Sequence, residues 1–124
     1  MTAKIEKYFD SIVRFLELHP LIKNVAIEKK VITRNRGYIK GTVTFTNGSQ
    51  LHIKEFINDK LRKISYAYHY QDKNGVLIFR YDNAPHHAEI KTFPHHKHVL
   101  NKPKPEPAQE KNIVEMVKEI IENL

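Results

Sequence analysis

The chain has 124 residues, of which 40% are apolar, 28% charged and 10% aromatic, enough for one compact core and too few for a second domain of ordinary size. It contains no cysteine, which excludes disulfides, thiolate metal sites and a cysteine nucleophile, and no run approaches 18 consecutive apolar residues, which excludes a membrane-spanning helix. Lys and Arg number 21 against 14 Asp and Glu, a net charge of +7 with His neutral; residues 108–124 carry −2, so the other 107 residues carry +9.

A basic body of this kind suits a polyanion such as RNA or DNA, because neutralised phosphates release condensed counterions; an acidic partner protein would be served equally well. The opening MTAKIEKYFD has neither the apolar run nor the small-residue cleavage site of a signal peptide. A cytoplasmic protein without cysteine and without a membrane partner is the expectation.

Residues 4–18 place Ile5, Tyr8, Phe9, Ile12, Val13 and Leu16 at i, i+3, i+4 spacing, the apolar stripe of an amphipathic helix that Pro20 stops. From Val25 to Asp82 the period becomes two. Turn residues recur at Asn35-Arg36-Gly37, Asn47-Gly48, Asn58-Asp59 and Asn74-Gly75, which predicts five strands near 25–34, 38–46, 50–57, 62–71 and 76–82. In the second strand Ile39, Gly41, Val43 and Phe45 share one face, with Tyr38, Lys40, Thr42 and Thr44 on the other, as in a sheet buried on one side. The fourth alternates Ile64, Tyr66, Tyr68 and Tyr70 against Lys63, Ser65, Ala67 and His69, and its tyrosines read more readily as core than as a base-stacking platform. His19, His52 and His69 stand singly on regular elements and read as structural, although His69 projects with Ser65 and Ala67 and could line a groove.

Residues 83–101 lose this periodicity and become rich in His, Pro and Asn, a long loop of the kind that small domains keep for function. Lys102-Pro103-Lys104-Pro105-Glu106-Pro107 reads as a polyproline-type linker, with Pro107 able to sit in the first turn of a helix over 108–123. That helix carries Ile113, Met116, Val117, Ile120, Ile121 and Leu124 on one side and must bury them on the sheet or on another chain, a homodimer included. The layout is thus 1–101 as helix, sheet and His-rich loop, 102–107 as linker, and 108–124 as a helix of the same domain.

Five of the eight histidines fall within 13 residues: His86, His87, His95, His96 and His98. Two Pro-His-His units stand nine residues apart, each with its backbone restricted by proline. Imidazole exchanges a proton near neutral pH, so two rings facing one substrate can act as base and acid in one turnover. Arg80, Lys91 and Lys97 nearby suit a phosphodiester, whose developing charge they would stabilise, and Asp82 is placed to orient an imidazole. Cleavage of RNA by this route needs no metal and no cofactor. The same side chains, with Asp82 or Glu89, could instead ligate Zn²⁺ or Ni²⁺, or form a basic contact surface or a solvated loop without chemistry. No phosphate-cradling Gly-rich loop, Ser-His-Asp signature or zincin motif is present.

The run from Tyr66 to His98 resembles the TumE-type family of prokaryotic toxin–antitoxin toxins. Its specific parts are Asp82-Asn83-Ala84-Pro85-His86-His87 and Phe93-Pro94-His95-His96-Lys97-His98, about a quarter of the chain. The resemblance implies a toxin paired with an antitoxin that carries a helix-turn-helix DNA-binding part. A ribonuclease follows only by analogy with other small basic toxins.

The expected fold is therefore α+β: a five-stranded antiparallel meander with the N-terminal and C-terminal helices packed on one face and the His loop at one end of the sheet. The expected function is a toxin acting on RNA, with His86, His87, His95, His96 and His98 transferring protons, Asp82 orienting, and Arg80, Lys91 and Lys97 binding phosphate. The competing reading is a non-catalytic module that binds nucleic acid or an acidic antitoxin, and a third makes the histidines metal ligands.

Overall fold

The structure is a computed structural model that describes residues 3–124. Helix α1 (Ala3–Leu18) precedes seven strands, β1 (Ile22–Thr33), β2 (Arg36–Phe45), β3 (Gln50–Asn58), β4 (Lys63–Gln71), β5 (Leu77–Asp82), β6 (His96–Val99) and β7 (Glu106–Pro107), and helix α2 (Ile113–Glu122) closes the chain. All strands lie in one sheet in chain order, each antiparallel to the next.

The fold is α+β with two helices on an antiparallel sheet, but the sheet has seven strands where five were expected. Both additional strands come from the stretch without periodicity and the Pro-rich stretch after it. His96-Lys97-His98 offers no apolar alternation to read, yet its backbone completes the edge left by β5: Phe79, Arg80, Tyr81 and Asp82 pair with Val99, His98, Lys97 and His96. Thr92 holds this return in place, its Oγ1 donating to the His95 carbonyl at 2.6 Å and accepting from the Ala108 N–H at 2.9 Å. Glu106 and Pro107 then pair with Lys97 and His96, and Pro107, which has no N–H to give, stands on the last strand of the sheet. Pro107 therefore lies in a strand rather than a helical turn. The helix starts at Ile113, later than expected, because a capping box sets its beginning: the Asn112 side chain accepts from the Glu115 N–H at 2.8 Å, and the Glu115 carboxylate accepts from the Asn112 N–H at 3.2 Å.

One face of the sheet carries the core. Ile39, Val43 and Phe45 of β2, Leu51, Ile53 and Ile57 of β3, Tyr66, Tyr68 and Tyr70 of β4, and Tyr81 of β5 are buried with Ile5, Phe9, Ile12 and Leu16 of α1 and Ile113, Met116, Val117 and Ile120 of α2 in one cluster. At Gly37 a Cβ would stand 2.9 Å from Ile5 Cγ2, so α1 rests directly on the β2 backbone. Glu55 enters this core fully buried. It accepts from Tyr8 Oη at 2.6 Å and Tyr68 Oη at 2.5 Å, which ties α1 to the middle of the sheet, and burial raises its carboxyl above the ordinary range against the pull of those two bonds. No helix among the described residues is long and apolar enough to cross a membrane.

The β1–β2 pairing is tightest at Gly41, where a Cβ would lie 2.1 Å from the Ala26 carbonyl oxygen and 2.8 Å from Ile27 Cα. A methyl there can be accommodated only by moving one strand. Gly41→Ala is expected to cost about 2–4 kcal/mol, read as a lower Tm in thermal unfolding; an unchanged Tm would mean that the two strands are not packed this closely.

Candidate active site

Alternation along β5 puts Tyr81 in the core and leaves Arg80 and Asp82 on the opposite, open face of the sheet. The antiparallel register of β6 then sets His96 beside Asp82 and His98 beside Arg80 on that face, with Lys97 turned to the helix side, its Nζ 5.9 Å from the centre of the Tyr81 ring. His87 reaches the same place from the loop. Its ring centre lies 5.0 Å from that of His96 and 6.1 Å from that of His98, and the His96 and His98 rings are 5.1 Å apart. Three imidazoles from two segments of chain thus converge on the open face, two of them partly exposed and His96 only 3% exposed.

Asp82 organises the group. Itself 6% exposed, it receives His96 Nε2 at 2.9 Å, the Ala84 N–H at 3.0 Å and Arg80 Nε at 3.0 Å. The other ring nitrogen of His96, Nδ1, lies 3.0 Å from the Pro94 carbonyl oxygen. A carbonyl and a carboxylate both only accept, so both contacts are hydrogen bonds only when each ring nitrogen carries hydrogen, as in an imidazolium facing a carboxylate. His98 has no such fixed partner. Burial, and then His96, His87 and Arg80, lower its pKa below the ordinary imidazole value, with Asp82 opposing, so its ring stays neutral to lower pH than a free histidine would. His87 Nδ1 stands 3.5 Å from the Glu89 carboxylate.

The remaining sequence candidates lie elsewhere. His95 is on the helix side, its ring stacked 5.8 Å from that of Tyr66, whose hydroxyl is 2.7 Å from His95 Nδ1. Glu110 lies 3.9 Å from His95 Nε2 and 3.1 Å from Lys63 Nζ. His86 and Lys91 are exposed, and Lys97 is separated from the three imidazoles by the thickness of the sheet. Of the five clustered histidines the fold brings together His87, His96 and His98, with Arg80 and Asp82.

Sequence spacing did not show that this group continues along the sheet. Register places Thr42, His52, His69, Arg80 and His98 side by side across β2 to β6, and Lys40, Lys54, Ala67, Asp82 and His96 in the neighbouring row. The His52 and His69 rings are 5.8 Å apart, Thr42 Oγ1 is 2.9 Å from His52 Nδ1, and burial followed by Arg80 and His52 lowers the His69 pKa. The only sequence signal for this row is the period of two that sends His52 and His69 away from the apolar face.

Chemically, the arrangement sets two partly exposed imidazoles, His87 and His98, and the Arg80 guanidinium near one another on the open face, groups able to move protons on a phosphate ester and to hold its charge. One ligand nitrogen from each of His87, His96 and His98 lies within 4.8 Å of the others, a grouping that could also gather around a transition metal if His96 Nε2 gave up its hydrogen and its contact with Asp82, the Nδ1 bond to Pro94 then fixing the ring. The model of the family described as Toxin TumE matches residues 12–124. No curated protein and no solved structure matches the chain.

Proposed function

The chain belongs to the TumE toxin family, and from that premise we propose that it is a toxin that cleaves RNA at the open face of its sheet and is held in check by a cognate antitoxin protein. The observation that carries the chemistry is the convergence of His87, His96 and His98 beside Arg80. His98, kept neutral, removes the proton of a 2′-hydroxyl; the 2′-oxygen bonds to phosphorus as the bond from phosphorus to the 5′-oxygen breaks; His87 gives its proton to that leaving oxygen. The products are a 2′,3′-cyclic phosphate and a 5′-hydroxyl. Arg80 spends its Nε on Asp82, which leaves its two Nη groups for the phosphoryl oxygens. His96 and Asp82 are positioning residues: they anchor β6 to β5 so that His98 faces the site.

The purified protein is expected to cut single-stranded RNA to 2′,3′-cyclic phosphate ends, to spare a substrate with deoxyribose at the cut position, and to keep its activity in EDTA. Its rate should trace a bell with pH. The base works only unprotonated and the His98 pKa is lowered, so the acid limb should have its midpoint below about 6.5. The metal reading predicts the opposite: about one zinc or nickel per chain, with activity lost on chelation and restored by that ion, and this result would make the three imidazoles ligands rather than proton carriers.

A further inference from the structure

The cleavage site is one end of a longer surface. On the face away from the helices, the two rows that pass through Arg80 and Asp82 run unbroken from β2 to β6, four strand spacings of about 4.8 Å or roughly 19 Å. Lys54 is exposed and has no carboxylate within ion-pair distance among the described residues. The one carboxylate in these rows, Asp82, is engaged by His96 and Arg80, and Glu28, on β1 beside Lys40, is engaged by Tyr38 Oη at 2.6 Å and Lys40 Nζ at 3.7 Å. The surface therefore presents positive and neutral donors. At one end of the rows, Lys40 and Lys54 line a shallow hollow of about 440 Å³ with Tyr38, Glu55, Phe56 and Ser65; the Glu55 carboxylate is buried and bonded to Tyr8 and Tyr68, and the partly exposed Phe56 ring lies on the open face.

We propose that this face is a track for single-stranded RNA, which lies across β2 to β6 with a base against Phe56, its backbone along Lys54, His52 and His69, and the scissile phosphate at Arg80. The inference deepens the cleavage reading and rests on it for the position of the reacting phosphate. Cationic groups interleaved with an aromatic ring on an uncovered sheet face suit a backbone with splayed bases, since any base can stack and phosphate needs only donors. A duplex fits poorly: its bases are already stacked on one another and give Phe56 nothing to hold, and its regular sugar–phosphate geometry keeps the 2′-oxygen out of line with the leaving oxygen. His52 and His69, three and two strands from β6, thereby become substrate-binding residues outside the loop that supplies His87.

The test separates binding from cleavage by using an oligonucleotide that cannot be cut. The full chain is titrated into a fluorescently labelled 2′-O-methyl RNA of about 12 nucleotides, single-stranded or annealed to its complement, and anisotropy is followed at several salt concentrations. The single strand should bind at least tenfold more tightly than the duplex, with affinity falling steeply with salt. Phe56→Ala should weaken single-strand binding about five- to 150-fold, the range of one lost base stack. Lys54→Glu should weaken it at least tenfold and flatten the salt dependence; both side chains lie on the uncovered face, and an unchanged Tm checks that the variants are folded. Equal affinity for single strand and duplex, or wild-type affinity in both variants, would overturn the track. If the variants bind RNA normally and lose only their hold on the antitoxin, the face is a protein-docking surface and the proposal is wrong. Cleavage by the parent protein is scored separately, so the track can fail while the reaction at His98 and His87 stands.

Discussion

His98→Ala is expected to lower RNA cleavage by about 10²–10⁴-fold while leaving binding of the uncleavable oligonucleotide within a few-fold of the parent. The ring is a partly exposed member of β6 whose backbone pairing with Arg80 does not depend on its side chain, so its removal deletes the proton acceptor without disturbing the sheet. His87→Ala should show a loss of similar size, because the leaving oxygen would depart unprotonated, and a substrate with a leaving group that needs no proton should recover much of the rate in that variant alone. His86→Ala and His95→Ala test the position of the site. One ring is exposed and the other lies against Tyr66 on the far side of the sheet, so both losses should be much the smaller. Equal losses at His86, His95 and His98 would show that the reacting groups are not those the fold has gathered.

Asp82→Ala is expected to produce the largest loss of stability of any single substitution on the open face. It removes the partner of His96 Nε2, of Arg80 Nε and of the Ala84 N–H in one step, and His96 is only 3% exposed. Breaking a buried pair while one member stays buried costs about 3–5 kcal/mol, or a fall in Tm on the order of 10–20 °C for a chain of this size. Asp82→Asn keeps an acceptor for the amide and should fall between the two. A Tm within 2–3 °C of the parent for Asp82→Ala, measured by calorimetry, would mean that the pair carries no net stabilisation.

Much of the architecture was legible because it is encoded locally. The stripe from Ile5 to Leu16 folds as α1, Asn47-Gly48 and Asn74-Gly75 turn the chain where such pairs do, and the three tyrosines of β4 face the core. What stayed hidden depends on partners distant in the chain. β6 is a strand only because β5 offers it an edge; its own residues, His-Lys-His-Val, with a proline two positions before, carry no apolar period. The Pro-His-His repeat made both pairs look equivalent, yet the alternation that begins with β6 sends His95 and His96 to opposite faces, and only the second meets His87. His52 and His69 looked like isolated residues because the property that joins them to Arg80 and His98 is the register of four strands, and no short stretch of sequence contains it.

The plain next-neighbour order of the sheet has a consequence for how the protein is made. Each strand can dock as soon as it has been synthesised after the one before it, with no crossover to await, so a folded sheet can lengthen while the ribosome is still adding residues. His96 and His98 arrive in the sixth of seven strands, after most of the core has its partners. A chain halted by a premature stop codon between His87 and His96 would therefore carry β1 to β5 and hold only one of the three converging imidazoles. The group of three imidazoles is thus completed only after the strand that carries Arg80 and Asp82 already has its place in the sheet.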